Sequence, residues 1–470
     1  MGHSSTAVLD DRLSDLPDAL LLRILSLAFL GACRTLVKTS LVSRRWRHLW
    51  REVPRLEIDQ REFLQEQEAA APTTRHSKRD KRNPAKEWHM FEKFAENLLS
   101  RHSTDLPLDT LRLVVDPPRG HGRRNQSDAS SLVRLCLERC RPVDLVIISN
   151  TLVDLRGLGR EVDLTRLTTL CLSNVVLRSG FAQHIGASGC PRLEHLQLGD
   201  CHLAFTELVF SRTLKSLSVF YNYNVHRRRG SCVTRTRIEA PGLRSMMVEK
   251  IDGVTFDYHV PSLVTAYLGL VHRGCIDQDD ELDMLCSLQN ATNLHLSRFP
   301  SIHKVPKFCN LKTLFLEECN LTGQVRTTLD LFMCAAPNLD QLSVQDCEFR
   351  LPPDDGVPYK DHQDSRMFHN LRTLHLEKCD LTLRSYGEAP TLLEYVLQNA
   401  PNLEKLTLLY CKLPGGMQRG SQSMKMPYQC VNLKSAAIRY LKQDGVSQMV
   451  DLLLSISKNL QRCNILASKA

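Results

Sequence analysis

The sequence predicts an α/β protein in which a small three-helix unit precedes a long, irregular repeat solenoid. Residues 16–50 contain three short stretches whose apolar side chains recur at helical spacing. Farther along, leucines recur in short alternating runs at intervals typical of repeat proteins. We therefore expect a curved parallel sheet on the concave face of the solenoid, with helices and loops on its convex face.

The N-terminal unit has recognisable helix boundaries. Pro17 suits the first position of a helix, and Asp18 complements the positive helix end. A second helix is predicted over residues 33–39 and a third over residues 44–50, with Ser43 as its cap. A unit this short cannot bury all of its large apolar groups by itself, so we expect it to dock on a partner.

A polar, charged stretch follows over residues 65–87, and it reads as a flexible basic linker or loop. Helical spacing resumes with Trp88 and marks the expected start of the repeat domain. The predicted organisation is therefore a helical unit at 10–56, the linker, and a solenoid at 88–466. Returning helices are expected at 327–335, 391–399 and 448–458.

The repeats follow the pattern L-x-x-L-x-L-x-x-C-x-L, in which the L-x-L part is a strand that points its leucines into a shared core. Clear copies begin at Leu193, Leu311, Leu339, Leu371 and Leu403, and weaker ones begin at Leu167, Leu214, Leu243, Leu263 and Leu433. The cysteines at the turn positions are predicted to pack rather than to bind metal: Cys201, Cys319, Cys347, Cys379 and Cys411.

The composition and the motifs of the chain limit the classes of function that it can have. The chain has 470 residues, a net charge of +9 and 17 cysteines, with no C-x-x-C pair, no apolar run of membrane length and no secretory signal. We expect reduced thiols, a cytoplasmic or nuclear location, and neither a metal nor a cofactor. Known catalytic motifs are absent, and the basic loops at 119–124 and 227–229 lack the aromatic residues that would favour nucleic-acid binding.

The N-terminal unit resembles the F-box, especially its plant form. The similarity covers roughly 40 residues and rests on Leu16-Pro17, Ile24-Leu25, Leu41-Val42-Ser43 and the segment 45–50 with the sequence RWRHLW. The variable spacing of the repeats resembles plant F-box proteins with leucine-rich repeats (LRRs). Residues of about 420–466 are similar, more weakly, to the C-terminal region of the related FBD family.

This resemblance implies a non-catalytic subunit of an SCF ubiquitin ligase. Its F-box would dock on a Skp1-type adaptor, which links it to a cullin and a RING subunit. Carried over by position, the residues that contact the adaptor or support the contacting surface are Leu16, Pro17, Leu21, Ile24, Leu25, Leu41, Val42, Trp46 and Trp50. Trp46 and Trp50 lie one helical turn apart, as interface anchors would.

Strand positions between the core leucines should line the concave face and contact a target protein. They are His195, Gln197, His295, Phe315, Glu317, Gln341, Gln345, His375, Glu377, Lys405, Leu409 and Arg439. Two other interpretations stay open at this stage. One is a hormone or metabolite co-receptor with inserted loops at 222–236 and 351–366, and the other is an adaptor-bound scaffold that does not ubiquitinate its partner.

Overall fold

The computed structural model describes the greater part of the chain. The described residues are 16–28, 33–41, 44–70, 83–102, 108–118, 129–155, 162–204, 207–210, 212–220, 236–251, 256–270, 278–322, 327–350, 367–381, 391–413, 429–440 and 446–467. They belong to two compact units, an N-terminal unit, Met1–Leu214, and a C-terminal unit, Lys215–Ala470.

The N-terminal unit combines helices with a parallel sheet. Its helices are α1 (Asp18–Ala28), α2 (Cys33–Lys38), α3 (Trp46–Leu49), α4 (Gln60–Ala70), α5 (Pro84–Arg101), α6 (Ser130–Arg139) and α7 (Ser179–Gln183). Short helical turns also cover Thr39–Leu41, Trp50–Glu52 and His184–Ser188. Its strands are β1 (Arg55–Asp59), β2 (Thr110–Val115), β3 (Asp144–Asp154), β4 (Thr169–Arg178), β5 (His195–Gly199), β6 (His202–Ala204) and β7 (Glu207–Val209). Strands β1 to β5 pair in chain order, all parallel, and β6 also pairs with β4.

The C-terminal unit continues the same kind of architecture. Its strands are β8 (Ser216–Phe220), β9 (Thr236–Glu239), β10 (Ser245–Ile251), β11 (Phe256–His259), β12 (Thr265–Leu270), β13 (Asn293–Ser297), β14 (Thr313–Glu317), β15 (Gln341–Gln345), β16 (Thr373–Glu377), β17 (Lys405–Leu409), β18 (Ser435–Tyr440) and β19 (Arg462–Ala467). Its helices are α8 (Gln278–Ser287), α9 (Thr328–Ala335), α10 (Leu392–Asn399) and α11 (Val446–Ile456). Within this unit, β8, β10 and β12 to β19 form one parallel sheet, and β9 pairs separately with β11.

The alternation of leucines explains this sheet. On β14 the leucines Leu314 and Leu316 are fully buried while Thr313, Phe315 and Glu317 face outward, and the neighbouring strands repeat this pattern in register. Because side chains of a strand alternate between its two sides, one leucine face builds a continuous core through the stacked repeats. The predicted fold class and the LRR-type solenoid are confirmed.

The turns after the strands also repeat. Glu318, Asp346, Lys378 and Tyr410 each hold a left-handed backbone, with φ between 49° and 54°. This conformation turns the chain and directs each amide toward the carbonyl that ends the next strand, as in the 2.8 Å bond from Lys378 N to Leu409 O. The cysteine that follows is then placed under the sheet, where Cys379 Sγ donates to Val344 O at 3.5 Å.

Helices α9 and α10 confirm the expected helical segments and show why they begin where they do. Thr327 and Thr391 are their N-caps, and each forms a reciprocal capping box, with Asp330 and Glu394 respectively. The third expected helix is found as α11, shifted by two residues toward the N-terminus.

Other boundaries differ from the sequence prediction. The parallel sheet begins with β1 at Arg55, whereas we expected the solenoid to begin at residue 88, because the short strand precedes the charged stretch and carries no complete repeat pattern. The ends of the predicted linker 65–87 are helical in α4 and α5, and residues 71–82 lie outside the described residues. Helix α3 begins at Trp46 rather than at residue 44, with Arg45 as its N-cap, and Ser43 lies outside the described residues.

Candidate functional site

The first candidate surface lies on the three N-terminal helices, and its interior consists of residues that the sequence singled out. Leu21, Leu25, Trp46 and Trp50 are all at least 94% buried within the N-terminal unit. The two tryptophans therefore support the surface from below and are not exposed anchors. Helical spacing alone cannot distinguish these roles, because it places a residue on a face without saying what that face meets.

Exposed apolar side chains lie over this support. Leu41 is 84% exposed and Pro17 is also exposed, while Leu16 and Ile24 are half-buried. Leu20 and Leu27, which the sequence analysis did not select, are 45% and 58% exposed. Val42 lies outside the described residues. These leucines give the helical unit an apolar exterior that its own core does not cover.

Another part of the helical unit packs on α4 and on the end of α5. The Arg34 guanidinium lies over the Phe63 ring of α4, at 5.0 Å from its centroid, and Phe63 contacts Phe91 of α5 edge-to-face. His102 Nε2, at the end of α5, lies 3.0 Å from Val53 O. Burial in this contact raises the pKa of the Cys33 thiol to about 12. This part of the helical unit is thus covered by the chain itself, whereas Leu20, Leu27 and Leu41 are exposed among the described residues.

A basic groove borders Leu41. It has a volume of about 570 Å³ and is lined by Val37, Ser40, Leu41, Arg44, Arg47, Trp50, Arg51 and Arg101. Four of these residues are arginines, and among the described residues no acidic side chain lines the groove. The Arg51 guanidinium lies near the Trp50 ring, 5.7 Å from its centroid, and its buried Nε has no hydrogen-bond partner among the residues that the structure describes. The groove is therefore suited to an acidic segment that also contacts Leu41.

The second candidate surface is the solvent-facing side of the strands in the C-terminal unit. All predicted target-binding positions of this unit lie on strands and are exposed or half-buried: His295, Phe315, Glu317, Gln341, Gln345, His375, Glu377, Lys405, Leu409 and Arg439. Pairing arranges them in rows that cross the sheet. Glu317, Gln345, Glu377, Leu409 and Arg439 form one row, and Gln341 and Lys405 flank Thr373 in another.

Four outward-facing side chains form a contiguous cluster on β12, β13 and β14. His295 lies edge-on between Tyr267 and Phe315, with ring centroids 4.4 Å and 4.1 Å away. Its Nε2 also contacts Glu317 Oε2 at 3.1 Å. Burial lowers the pKa of His295 more than the neighbouring Glu317 raises it. We call these four residues the Tyr267–Phe315 cluster.

Tyr267 was not among the predicted positions, although the weak repeat that begins at Leu263 places it between two buried residues, Ala266 and Leu268. A hydrogen bond joins its hydroxyl group to that of Ser297. Glu249 approaches from β10 across Gly269, where a β-carbon would come within 3.1 Å of Glu249 Cγ and 3.2 Å of the Tyr267 ring. The missing side chain of Gly269 thus allows Glu249 to lie beside the cluster.

The remaining predicted positions are separate from this cluster. His375 and Glu377 are 3.7 Å apart on β16, and Lys405 and Arg439 lie on β17 and β18. His195 and Gln197 are exposed on β5 of the N-terminal unit. The loops proposed for a small-ligand receptor fall almost wholly outside the described residues, since only Thr236 of 222–236 and none of 351–366 is described.

Two further observations bear on the class of protein. Among the described residues, no group of three or more His, Cys, Asp or Glu side chains is placed to hold a metal ion. In the same part of the chain, no helix has the length and apolar character needed to cross a membrane.

The known proteins that resemble this chain are consistently plant F-box proteins. No family model matches the chain. An F-box/LRR-repeat protein of Arabidopsis thaliana is 30% identical over 264 residues, which cover 53% of this chain and 78% of that protein. The meiotic F-box protein MOF of Oryza sativa subsp. japonica is 29% identical over 466 residues, covering 92% of this chain and 80% of the relative. An FBD-associated F-box protein of Arabidopsis thaliana is 26% identical over 469 residues, covering 86% and 93%. With helices and parallel repeats arranged as described above, the chain belongs to the plant F-box/LRR-repeat protein family.

Proposed function

We propose that this protein is the substrate-recognition subunit of an SCF-type ubiquitin ligase. In this proposal the N-terminal helices dock on a Skp1-type adaptor that carries the cullin and RING subunits. The strand face holds a target protein for ubiquitination and proteasomal degradation. The chain itself performs no covalent chemistry, because its contribution is to raise the concentration of the target beside the ubiquitin donor.

The observation that carries the proposal is the division of the N-terminal helices into a buried support and an exposed apolar exterior. Trp46 and Trp50 are 6% and 4% exposed, whereas Leu41 is 84% exposed beside a groove lined with arginines. A surface that combines exposed leucines with a groove lined by four arginines fits a partner that offers apolar side chains and carboxylates.

The test is capture of a Skp1-type adaptor by the full chain, co-expressed with the adaptor and purified through a tag on this chain. We expect the double variant Leu20→Glu/Leu41→Glu to reduce capture at least tenfold, because each substitution places a charge in the apolar interface. Folding should be unaffected, since both side chains are already exposed.

A matched control is the double variant Leu152→Glu/Leu454→Glu, which changes two leucines that are 50% and 56% exposed and lie outside this surface. It should capture the adaptor as the unaltered chain does. Absence of capture by the unaltered chain, or equal capture by all three proteins, would contradict the proposed docking surface.

A further inference from the structure

Cysteines of neighbouring repeats form a ladder in the C-terminal unit. Cys319, Cys347, Cys379 and Cys411 each follow a strand of the parallel sheet by two residues. The backbone amide of one cysteine bonds to the sulfur atom of the next, as in the 3.3 Å contact between Cys319 N and Cys347 Sγ. The amides of Cys347 and Cys379 bond in the same way to the sulfur atoms that follow them. We call these four residues the cysteine ladder.

Cys379 and Cys411 lie side by side in this ladder. Strands β16 and β17 pair with a constant offset, and the parallel bridge between Asp380 and Lys412, just after the two cysteines, keeps the same offset. A bond from Lys412 N to Cys379 O, at 2.9 Å, holds the two segments together. Neighbouring strands are about 4.8 Å apart. This spacing lies within the range of about 4.4–6.8 Å between α-carbons that a disulfide can span.

The two thiols also lie on the same side of the sheet. Cys411 Sγ donates to Leu376 O of β16 at 3.4 Å, so it leans toward the repeat of Cys379. A side-chain hydrogen bond joins the two thiols, and the Cys379 amide bonds to the Cys411 sulfur. The sulfur atoms are therefore neighbours in the reduced protein, and a bond between them requires neither separation nor sliding of the strands.

Exposure and ionisation distinguish this pair from the other pair of the ladder. Cys379 is buried, whereas Cys411 is half-buried. The hydrogen bond from Cys379 lowers the pKa of Cys411 and outweighs the opposing effect of burial. Cys347 is also half-buried, but its hydrogen bond with Cys319 and its burial raise its pKa. Because the accessible thiolate is the reactive form of cysteine, Cys411 is the member suited to react first.

We propose that Cys379 and Cys411 form a reversible redox site, at which a peroxide creates a disulfide between two neighbouring repeats. The Cys411 sulfur attacks the O–O bond and becomes a sulfenic acid, and the departing hydroxide takes up the Cys411 proton to form water. The Cys379 thiol then attacks the sulfenic sulfur, the S–S bond forms, and a second water leaves.

The electrons balance in this sequence. The two thiols together lose two electrons, which reduce one peroxide to two waters. A small thiol such as glutathione restores the reduced pair by thiol–disulfide exchange and is itself oxidised to its disulfide. The inference goes beyond the proposed function and does not depend on adaptor docking.

The test treats the reduced full chain with hydrogen peroxide at pH 7, and the remaining thiols are then blocked with iodoacetamide in denaturant. Tryptic peptides are identified by mass spectrometry without reduction, and the proposed bond joins residues 379–384 to residues 406–412. We expect half-maximal linkage at a peroxide concentration at least tenfold below that which half-oxidises the exposed Cys309. Dithiothreitol should remove the link, and a link between Cys319 and Cys347 should stay below one tenth of its amount.

Substitutions of the pair test the order of the two steps. Cys379→Ser and Cys379→Ala both remove the second thiol, so Cys411 should accumulate as a sulfenic acid that dimedone traps. Serine keeps a hydroxyl donor beside Cys411 and alanine does not, so trapping should be at least threefold faster in the serine variant. Cys411→Ser should abolish the link and leave Cys379 reduced. The control Cys309→Ala should leave the link unchanged.

The unaltered chain carries the decisive measurement, so a variant that fails to fold does not remove the test. Absence of the link at peroxide concentrations that fully oxidise Cys309 would overturn the proposal. Equal amounts of the Cys319–Cys347 and Cys379–Cys411 links would also overturn it, because the reaction would then follow proximity within the ladder alone. Dimedone trapping at Cys379 in the Cys411→Ser variant would refute the assigned order of attack.

Discussion

Cysteines at the turn position of the repeats are buried or half-buried, and their sulfur atoms donate hydrogen bonds to carbonyl groups of the preceding strand. Cys201 Sγ lies 3.4 Å from Leu172 O, and Cys319 and Cys411 make the equivalent contacts with Leu296 O and Leu376 O. A thiol is small enough for this position and satisfies a carbonyl that would otherwise be less well paired. Burial therefore stabilises the protonated thiol and raises the pKa of Cys201 to about 12.

This pKa predicts a specific pH dependence of folding stability. A free thiol in the unfolded chain ionises near pH 8.5, whereas Cys201 in the folded chain stays protonated until about pH 12. The contribution of Cys201 is thus fully present below pH 8.5 and decreases as the pH rises toward 12, by about 2 kcal/mol at pH 10. Cys201→Ala should accordingly destabilise the protein at pH 7, where a packed sulfur is lost, and should do so much less at pH 10.

The measurement is urea unfolding of both proteins at pH 7 and pH 10. The variant Cys309→Ala, which changes an exposed cysteine, is the control. The difference between its unfolding free energies at the two pH values should match that of the unaltered chain. A destabilisation by Cys201→Ala that is the same at both pH values would show that the buried thiol is not linked to folding in this way.

At the scale of elements, α9 and α10 are joined through their N-terminal turns. Asp330 closes the capping box of α9, bonding to the Thr327 amide at 2.7 Å, and its other carboxylate oxygen accepts a 2.5 Å hydrogen bond from the Tyr395 hydroxyl of α10. Asp330 and Tyr395 are both buried. One side chain therefore caps its own helix and also holds α10. It links the repeat of β14 to the repeat of β16, with the repeat of β15 between them, in addition to the contacts within the sheet.

Tyr395→Phe should reveal the strength of this coupling. The ring and its contact with Phe349, at 5.3 Å between centroids, are retained, while the Asp330 carboxylate loses a charge-assisted hydrogen bond inside the protein. We expect a loss of about 1–3 kcal/mol in unfolding free energy. The half-buried Tyr440→Phe is the matched control and should change stability by less than about 0.5 kcal/mol. Equal effects of the two substitutions would mean that the bond to Asp330 contributes nothing particular.

The repeats and the returning helices could be predicted because their signals are local. Leu314 and Leu316 show the alternation of a strand within a few residues, and Thr327 with Asp330 shows a helix start. Strand β1 could not be predicted from its five residues, because its identity depends on pairing with β2 more than 50 residues later. Likewise, the Tyr267–Phe315 cluster depends on the pairing of three strands, which fixes the distances between residues that are far apart in sequence.

The sequence likewise did not predict which apolar residues of the N-terminal helices are exposed. The sequence identified Trp46 and Leu41 together, but the structure buries the first and exposes the second. Which of two apolar residues is covered depends on tertiary packing, in which residues outside the motif take part. Phe63 of α4 lies under the Arg34 guanidinium of α2, and His102 contacts Val53. The motif thus predicts which residues belong to the helical unit, whereas tertiary packing decides which of them are buried and which are exposed.

At the scale of the whole molecule, the proposed function requires two surfaces that act together on one chain. The exposed leucines Leu20 and Leu41 lie in the N-terminal unit, and the strand face with the Tyr267–Phe315 cluster lies in the C-terminal unit. No residue proposed for one surface belongs to the other, so substitutions in each should affect only its own partner. Joining both on one chain makes the meeting of target and ligase an intramolecular event, with an effective concentration of the order of millimolar.

The resulting prediction separates a degradative receptor from a scaffold in cells. Proximity labelling with the proteasome blocked should identify proteins that are captured by the unaltered chain and lost with Glu317→Gln/Glu377→Gln, which changes two predicted target-binding positions of the strand face. With the proteasome active, those same proteins should be longer-lived in cells that express this variant in place of the unaltered chain. They should also be longer-lived with Leu20→Glu/Leu41→Glu, although this second variant still binds them. If the leucine variant leaves their lifetimes unchanged while the glutamine variant abolishes capture, the chain recruits its partner without directing it to degradation, because binding would then occur without any consequence of adaptor docking.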